Sequence, residues 1–472
     1  MKVAISIRAA VAPLALGLLP SVLPAQDMRS ARVDSLFATF AMPGSPGCAV
    51  GAAQDGRLVY GRGYGSANLD HGVPIDTRSV FYLASVSKQV TAFAVALAAQ
   101  EGKLSLDDEV RKYITEFPDY GTPVTIRHLI HHTSGVRDYL TLIPLSGRNP
   151  DDVWTDAALL SLIARQKALN FAPGTEFLYS NTGYVLLAEL VRRATGQSLA
   201  EYAKAKIFKP LGMNDTHFHD DAGVVVPRRV IGYVPGPNGW RMNHWFTFDK
   251  VGDGGLYSTI EDLVRWDANF YSGQVGGAAV QQLVVTRGVL TKGDTLPYAF
   301  GIGHQSYRGL RTLEHGGSLT GFRTHLLRFP DQRFSAIVLC NTPTAPAAQL
   351  ARRVAEVFLA DRMTTAPVAT GSGGPSPQQN PQAPLVSATD GAEYVGTYRS
   401  AELDATWTLV VEGEQLVLRN NVNRNVIRRS ASDVLTAGNL TLRFTRDASR
   451  RITGFSLDAG RVRGIRFERQ PS

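Results

Sequence analysis

The sequence predicts a mixed α/β (α+β) fold, an antiparallel sheet flanked by helices, followed by a second, small antiparallel β-domain. Three observations carry this expectation. Residues 47–63 alternate around Gln54-Asp55-Gly56-Arg57, and Asp-Gly between two β-rich runs is a strong hairpin signal. Three further β-rich runs, 298–304, 323–329 and 334–340, precede a helical stretch over 347–359. Residues 364–384 are rich in Pro, Gly, Ser, Gln and Thr, and beyond 392 short alternating runs recur between turn residues, which mark a linker and then a barrel or half-barrel.

A chain of 472 residues exceeds what one core usually organises. The expected division is a signal peptide over 1–25, a main domain over 26–362, a flexible linker over 363–388 and a C-terminal β-domain over 389–472. Lys2 and Arg8 precede the apolar stretch 9–19 and a small-residue exit at Pro24-Ala25, the pattern of a secretory signal cut near Ala25-Gln26. That run is shorter than the roughly twenty residues that span a bilayer. No later stretch is long and apolar enough to cross a membrane, so the mature chain is expected to be exported without a membrane span. The formal charge of +8 is spread over scattered basic residues, largely Arg, without a run or helical stripe. That argues against a nucleic-acid or membrane footprint.

In chain order, 26–41 reads as a short helix with Val33, Leu36, Phe37 and Phe40 apolar. The 47–63 hairpin and a loop at 72–78 follow, and 81–84 bring the chain to a helix start at Ser85. Segments 104–108 and 110–114 look helical, and 125–135 reads as a short helix capped by Gly135. Residues 171–181 are a turn and an extended piece that leave Tyr179 and Asn181 at the entrance to a helix over 184–195. The glycine turn 252–259 delivers Thr259 as N-cap to a helix over 260–270, with Asp262 at N3. Its glycines have neither Walker nor dinucleotide spacing. His315-Gly316-Gly317-Ser318 is placed at or near the start of the strand that holds 323–329.

The chemistry centres on Ser85-Val86-Ser87-Lys88. Spacing i, i+3 puts a hydroxyl and an amine on one helix face, as a serine nucleophile and its base require. Alone, such a pair is usually a solvated surface pair; here the residues after Lys88 are apolar, so the pair is expected to be half buried. His128, His131 and His132 invite a metal reading, but no Cys lies near and the nearest acid is Asp138. Structural hydrogen bonding is preferred there, and His217 and His219 read as loop residues. No metal or organic cofactor is implied.

The order Ser85-x-x-Lys88, Tyr179-x-Asn181, His315-Gly316-Gly317, with 125–135 and the Gly254-Gly255-Leu256 turn, resembles the serine β-lactamase and penicillin-binding superfamily over residues 30–362. The resemblance is to its class C β-lactamase-like branch, which includes D-aminopeptidases, DD-carboxypeptidases and esterases. The segment containing Glu393-Tyr394-Val395-Gly396-Thr397-Tyr398 looks like the lipocalin-like domain often appended to such hydrolases. The resemblance implies a β-lactamase/transpeptidase-like domain and an acyl-Ser85 enzyme acting on a short peptide, D-amino-acid amide or small ester. A class C-type β-lactamase and a non-catalytic receptor for cell-wall fragments are the alternatives.

Lys88 serves as base only if its pKa falls from about 10.4 toward neutrality. Tyr179 beside it has the converse need, so the proton belongs to the pair. Asn181 is expected to position Lys88 and a substrate amide. Backbone N–H groups of Ser85 and, by resemblance, Ser318 would hold the oxyanion, while Gly316 and Gly317 let substrate backbone approach. The family usually has Lys where His315 stands, and no lysine follows Lys292. His315 would be charged part of the time near neutrality, which shifts the expectation from β-lactam hydrolysis toward peptidase or esterase relatives. The resemblance also places the first strand beside the last, and so Cys48 beside Cys340, bridged or as two thiols. Substrate identity and oligomeric state stay open.

Overall fold

The computed structural model describes residues 25–149, 151–244, 249–364 and 383–471, with side chains from Met28 onward. The signal-peptide reading falls outside the described residues apart from Ala25, and so does the linker reading over 365–382.

Six antiparallel strands form the main sheet: β1 (Cys48–Gln54), β2 (Arg57–Tyr64), β3 (Gly303–Tyr307), β4 (Leu310–Leu319), β5 (Phe322–Phe329) and β6 (Phe334–Cys340), in the order β3-β4-β5-β6-β1-β2. β1 and β2 are the hairpin turned at Asp55-Gly56, both with positive φ. The central pair β1 and β6 is covered on both sides. Cys48, Val50, Ala52, Ala336, Val338 and Cys340 face one apolar cluster, while Ala49, Ala53, Ile337 and Leu339 face the other, the period-two alternation of a strand. The first strand does lie antiparallel to the last, Cys48 is in register with Cys340, and the two are joined by a disulfide.

Helices α1 (Ala25–Phe37) and α5 (Ala347–Leu359) supply Val33, Phe37, Leu350 and Val354 to the first cluster. The opposite face carries α4 (Ile260–Ser272) and a helical layer built around α2 (Ser87–Gln100) and α3 (Asn181–Thr195). Every residue of α2 from Ser87 to Ala98 is buried, the position of a central helix, with Ser87, Lys88, Gln89 and Thr91 buried as polar groups at its N-terminal end. α4 starts at Thr259, whose hydroxyl accepts from Asp262 N–H, and it buries an ion pair: Arg328 Nε to Asp267 Oδ1 at 2.6 Å, with Ser335 Oγ donating to the same oxygen.

The expected antiparallel sheet flanked by helices is present, with differences in detail. Residues 104–108 and 113–114 are turn and irregular structure, with a 3₁₀ turn at Val110–Lys112. The helix Ile126–Ile130 ends well before Gly135, because the chain turns left-handed already at His132, with φ of 57°; His128 and Thr125 cap its start. Helix α3 begins at Asn181, three residues before its apolar run. His315 to Ser318 lie in the second half of their own strand β4, with a turn at Thr320-Gly321 before β5. Two glycines in a row hid that strand, since glycine is depleted in strands generally.

The C-terminal unit is a nine-stranded antiparallel sheet: β7 (Gly396–Ser400), β8 (Ala405–Glu412), β9 (Gln415–Arg419), β10 (Arg424–Val426), β11 (Arg428–Ala431), β12 (Val434–Ala437), β13 (Leu440–Arg446), β14 (Ile452–Ala459) and β15 (Val462–Arg469). Its two edge strands, β10 and β11, are separated only by buried Ile427, so the sheet nearly closes into a barrel. Leu385 and Ser387 bridge to Arg428 and Gln415, so the chain from 383 onward already belongs to this unit. It docks on the main domain through a buried ion pair, Arg137 Nη1 to Glu402 Oε2 at 2.5 Å, and through Trp407 Nε1 donating to the Leu145 carbonyl.

Candidate active site

Ser85 lies in a 3₁₀ turn, Ala84–Val86, that runs directly into α2. Ala84 has φ of 49°, a left-handed conformation costing an L-residue roughly 1–2 kcal/mol, and the surroundings impose it. Ser87 Oγ donates to the Ala84 carbonyl and accepts from Leu256 N–H, while Thr324 Oγ1 donates to the Leu83 carbonyl. β4 crosses this turn at Gly317, where a Cβ would sit 2.2 Å from the Leu83 oxygen and from Thr324 Oγ1. Gly317 is therefore a packing requirement between the nucleophile turn and the strand.

One turn on, Lys88 is completely buried. Its Nζ lies 3.1 Å from Ser85 Oγ, 2.9 Å from Asn181 Oδ1 and 2.6 Å from the Asp253 carbonyl. A carbonyl oxygen can only accept. When the amine is neutral, its two N–H bonds go to Asn181 and Asp253, and the lone pair is left pointing at Ser85. The Asn181 amide is fixed in turn, because Nδ2 donates to Asp138 Oδ2 at 2.9 Å. Asp138, fully buried, also accepts from the N–H groups of Leu140 and Asn181.

Burial lowers the Lys88 pKa, with Asp253 and Asp138 opposing and Arg461 adding to the shift. Burial likewise raises the Asp253 carboxyl, against the pull of Lys88. Tyr179, 4.9 Å from Lys88 Nζ at its ring centre, is pushed far up by burial, against a hydrogen bond to Ser85 and the charge of Arg461. Burial thus favours the neutral phenol of Tyr179 and the neutral amine of Lys88 alike.

His315 differs from its expected part-time charge. The ring keeps some surface toward the cleft, but desolvation by the surrounding protein, with Lys88 adding to it, lowers its pKa to about 3. Hydrogen bonding fixes its form. Nδ1–H donates to the Gly316 carbonyl, which leaves Nε2 to accept from Tyr298 O–H at 3.1 Å. Ser180 N–H donates to His132 Nδ1, so His132 Nε2–H can donate to Tyr298 Oη at 3.3 Å. His132, Tyr298 and His315 thus form a directed chain of neutral groups under the glycine edge. His128 serves as a cap, and no metal-ligand cluster occurs among the described residues.

Ser85, Tyr179, Asn181, His315, Gly316, Gly317 and Ser318 all line one cleft of about 1170 Å³. β3 pairs with β4 only as far as Glu314, and among the described residues the 315–319 segment has no strand partner on the cleft side. Sequence reasoning missed Asp253, Tyr298 and Arg461, and gave Asp138 no part in the site. Asp253 sat inside a turn read for its glycines, and Arg461 among the scattered basic residues that showed no run or stripe. Arg461 instead reaches into the cleft.

A buried lysine aimed at a serine on a helix-leading turn, beside the edge of an antiparallel sheet, defines a serine-nucleophile scaffold. Residues 33–359 match the family model described as Beta-lactamase, and the chain belongs to that family. It is 31% identical over 306 residues to penicillin-binding protein 4* of Bacillus subtilis, covering 61% of this chain and 67% of that protein. To D-aminopeptidase of Brucella anthropi it is 30% identical over 302 residues, 63% of this chain and 56% of the relative's length. Among solved structures, the octameric penicillin-binding protein homologue from Pyrococcus abyssi superposes with a TM-score of 0.61 at 21% identity, over 93% of this chain and 99% of that one. The D-amino acid amidase of Ochrobactrum anthropi SV3 gives 0.60 at 20% identity, over 71% of this chain and all of the other.

Proposed function

We propose that this chain is an exported serine hydrolase that forms an acyl-Ser85 intermediate on a short peptide, D-amino-acid amide or small ester. One observation carries the reading: the two acceptors that hold Lys88 Nζ, Asn181 Oδ1 and the Asp253 carbonyl, leave its lone pair directed at Ser85 Oγ. The relatives named D-aminopeptidase support the amide class. The Cys48–Cys340 disulfide supports an oxidising compartment.

In the acylation step, Lys88 takes the Ser85 proton as Oγ attacks the acyl carbon. Backbone N–H groups of Ser85 and Ser318 hold the oxyanion. The proton returns through Lys88 and the Tyr179 hydroxyl to the leaving amine or alkoxide, and the bond to the leaving group breaks. Water then attacks the acyl carbon and gives a proton to the same base, the Oγ–acyl bond breaks as that proton passes to Ser85 Oγ, and the acid is released. The receptor alternative has no use for a fully buried lysine beside a strained serine turn. The β-lactamase alternative loses ground because a neutral His315 occupies the place where the family's cation usually stands.

The test is covalent labelling by a fluorophosphonate, located by peptide mass spectrometry. Wild-type protein is expected to carry the label on Ser85; Ser85→Ala is expected to carry none, and Lys88→Ala to react at least 100-fold more slowly, as on the order of 3 kcal/mol of proton-transfer assistance requires. A wild-type protein that takes up no label sinks the reading.

A further inference from the structure

Resting on the acyl-Ser85 reading, we propose that Arg461, from the C-terminal sheet, is a specificity-determining residue of the cleft that binds a carboxylate carried by the substrate's leaving group.

Arg461 lies at the turn between β14 and β15. It lines the same cleft as Ser85, Tyr179 and Asn181, with its guanidinium carbon 4.7 Å from the Tyr179 ring centre. The turn is held firmly. The Arg461 carbonyl accepts from Asn170 Nδ2 at 3.0 Å, Arg463 N–H donates to Asn170 Oδ1 at 2.8 Å, and Arg137 Nε donates to the Arg463 carbonyl. Arg137 is itself locked in the buried pair with Glu402.

One edge of the guanidinium is anchored, with Nη1 3.1 Å from Asp138 Oδ2. Asp138 already accepts from Leu140 N–H, Asn181 N–H and Asn181 Nδ2, so Arg461 spends only one N–H on it. The side chain is 45% exposed, and a guanidinium presents five N–H donors in a planar fork that matches a carboxylate. Arg323, Arg352 and Arg353 line the cleft too, from β5 and α5; Arg352 is paired with Glu314, and Arg323 donates to backbone carbonyls. Enclosure by the surrounding protein disfavours the charged form of His315. Arg461 is the cation of the lining that sits against the groups handling the proton. That proton is returned to the leaving group at Lys88 and Tyr179, so the leaving group departs beneath Arg461, and an anion within its reach belongs to the leaving part.

The test uses two aryl methylphosphonates that react with Ser85, one releasing 3-hydroxybenzoate and the other its uncharged isostere 3-hydroxybenzamide, alongside a fluorophosphonate. In each aryl case the Ser85 Oγ–P bond forms, the P–O(aryl) bond breaks, and the serine proton ends on the phenol oxygen. Wild-type protein is expected to prefer the carboxylate probe, and Arg461→Ala to lower the ratio of the two second-order rate constants by about 10- to 100-fold, the range of a charge-assisted hydrogen bond. Arg461→Lys should keep part of the preference, having charge without the fork. Fluorophosphonate labelling combined with no carboxylate preference, or with one that Arg461→Ala leaves intact, overturns the proposal while acyl-Ser85 stands. Failure of all three probes on wild-type protein removes acyl-Ser85 and the proposal with it.

Discussion

Replacing Asn181 with Ala tests how the amine of Lys88 is aimed. The substitution deletes the 2.9 Å acceptor of Nζ and the 2.9 Å donor to Asp138. A buried hydrogen bond to a charged group contributes about 1.5–3 kcal/mol, and each 1.36 kcal/mol is tenfold in rate, so acylation should slow by roughly 10- to 150-fold. The pH profile supplies an independent sign. Asn181 Oδ1 stabilises the ammonium, so its removal lowers the Lys88 pKa further. Fluorophosphonate reactivity, which needs the neutral amine, should therefore begin to rise at a lower pH in the variant while reaching a lower plateau. The assay is the second-order labelling rate from pH 5 to 10. A variant within twofold of wild type at every pH, or one whose rise moves to higher pH, would refute the view that Asn181 holds and tunes Lys88.

Further outcomes follow from the surrounding structure. Asp267→Ala leaves Arg328 buried without its carboxylate, and urea unfolding should show a loss of about 3–5 kcal/mol; a loss below 1 kcal/mol would contradict the burial. Gly317→Ala forces a methyl against the Leu83 carbonyl, with an expected cost of about 1–3 kcal/mol and slower labelling of Ser85 from displacement of its turn; unchanged labelling would show that β4 can shift freely. His315 and His131 have pKa values lowered by burial to about 3 and 4, and His132, His217 and His244 are lowered too. Since the unfolded chain binds these protons first, stability should be complete above about pH 6.5 and fall as the solution is acidified; a denaturation midpoint flat from pH 7 to 5 would contradict it. Thiol titration of the unreduced, denatured protein should find no free cysteine, and two would exclude the Cys48–Cys340 bridge.

The sequence was most legible where local chemistry and tertiary demand agree. Asp55-Gly56 makes the hairpin, Thr259 and Asp262 make a cap, and the helix over 347–359 coincides with α5. It was least legible in β4, where Gly317 serves close approach to Leu83 and Ala84 rather than strand propensity. Ser85, Lys88, Tyr179, Asn181 and His315 converge on one cleft because their motifs each mark the end of an element facing it. The ionisation of His315 could not be read from its neighbours in sequence. It depends on Lys88 and on enclosure by segments hundreds of residues away. Arg461 was hidden for a similar reason, since an arginine at a hairpin tip has the same local pattern whether it meets water or a cleft.

The free margin of β4 has a consequence for ligand design. A chain laid along 315–319 can bind as an additional strand, recognised first through its amides and only then through its side chains. N-methylation of a peptide ligand, moved one residue at a time, should abolish binding at alternate positions and be tolerated between them. That two-residue rhythm would map how a substrate lies in the cleft without a crystal of the complex, and extended peptidomimetics with matching amide spacing are the natural starting inhibitors.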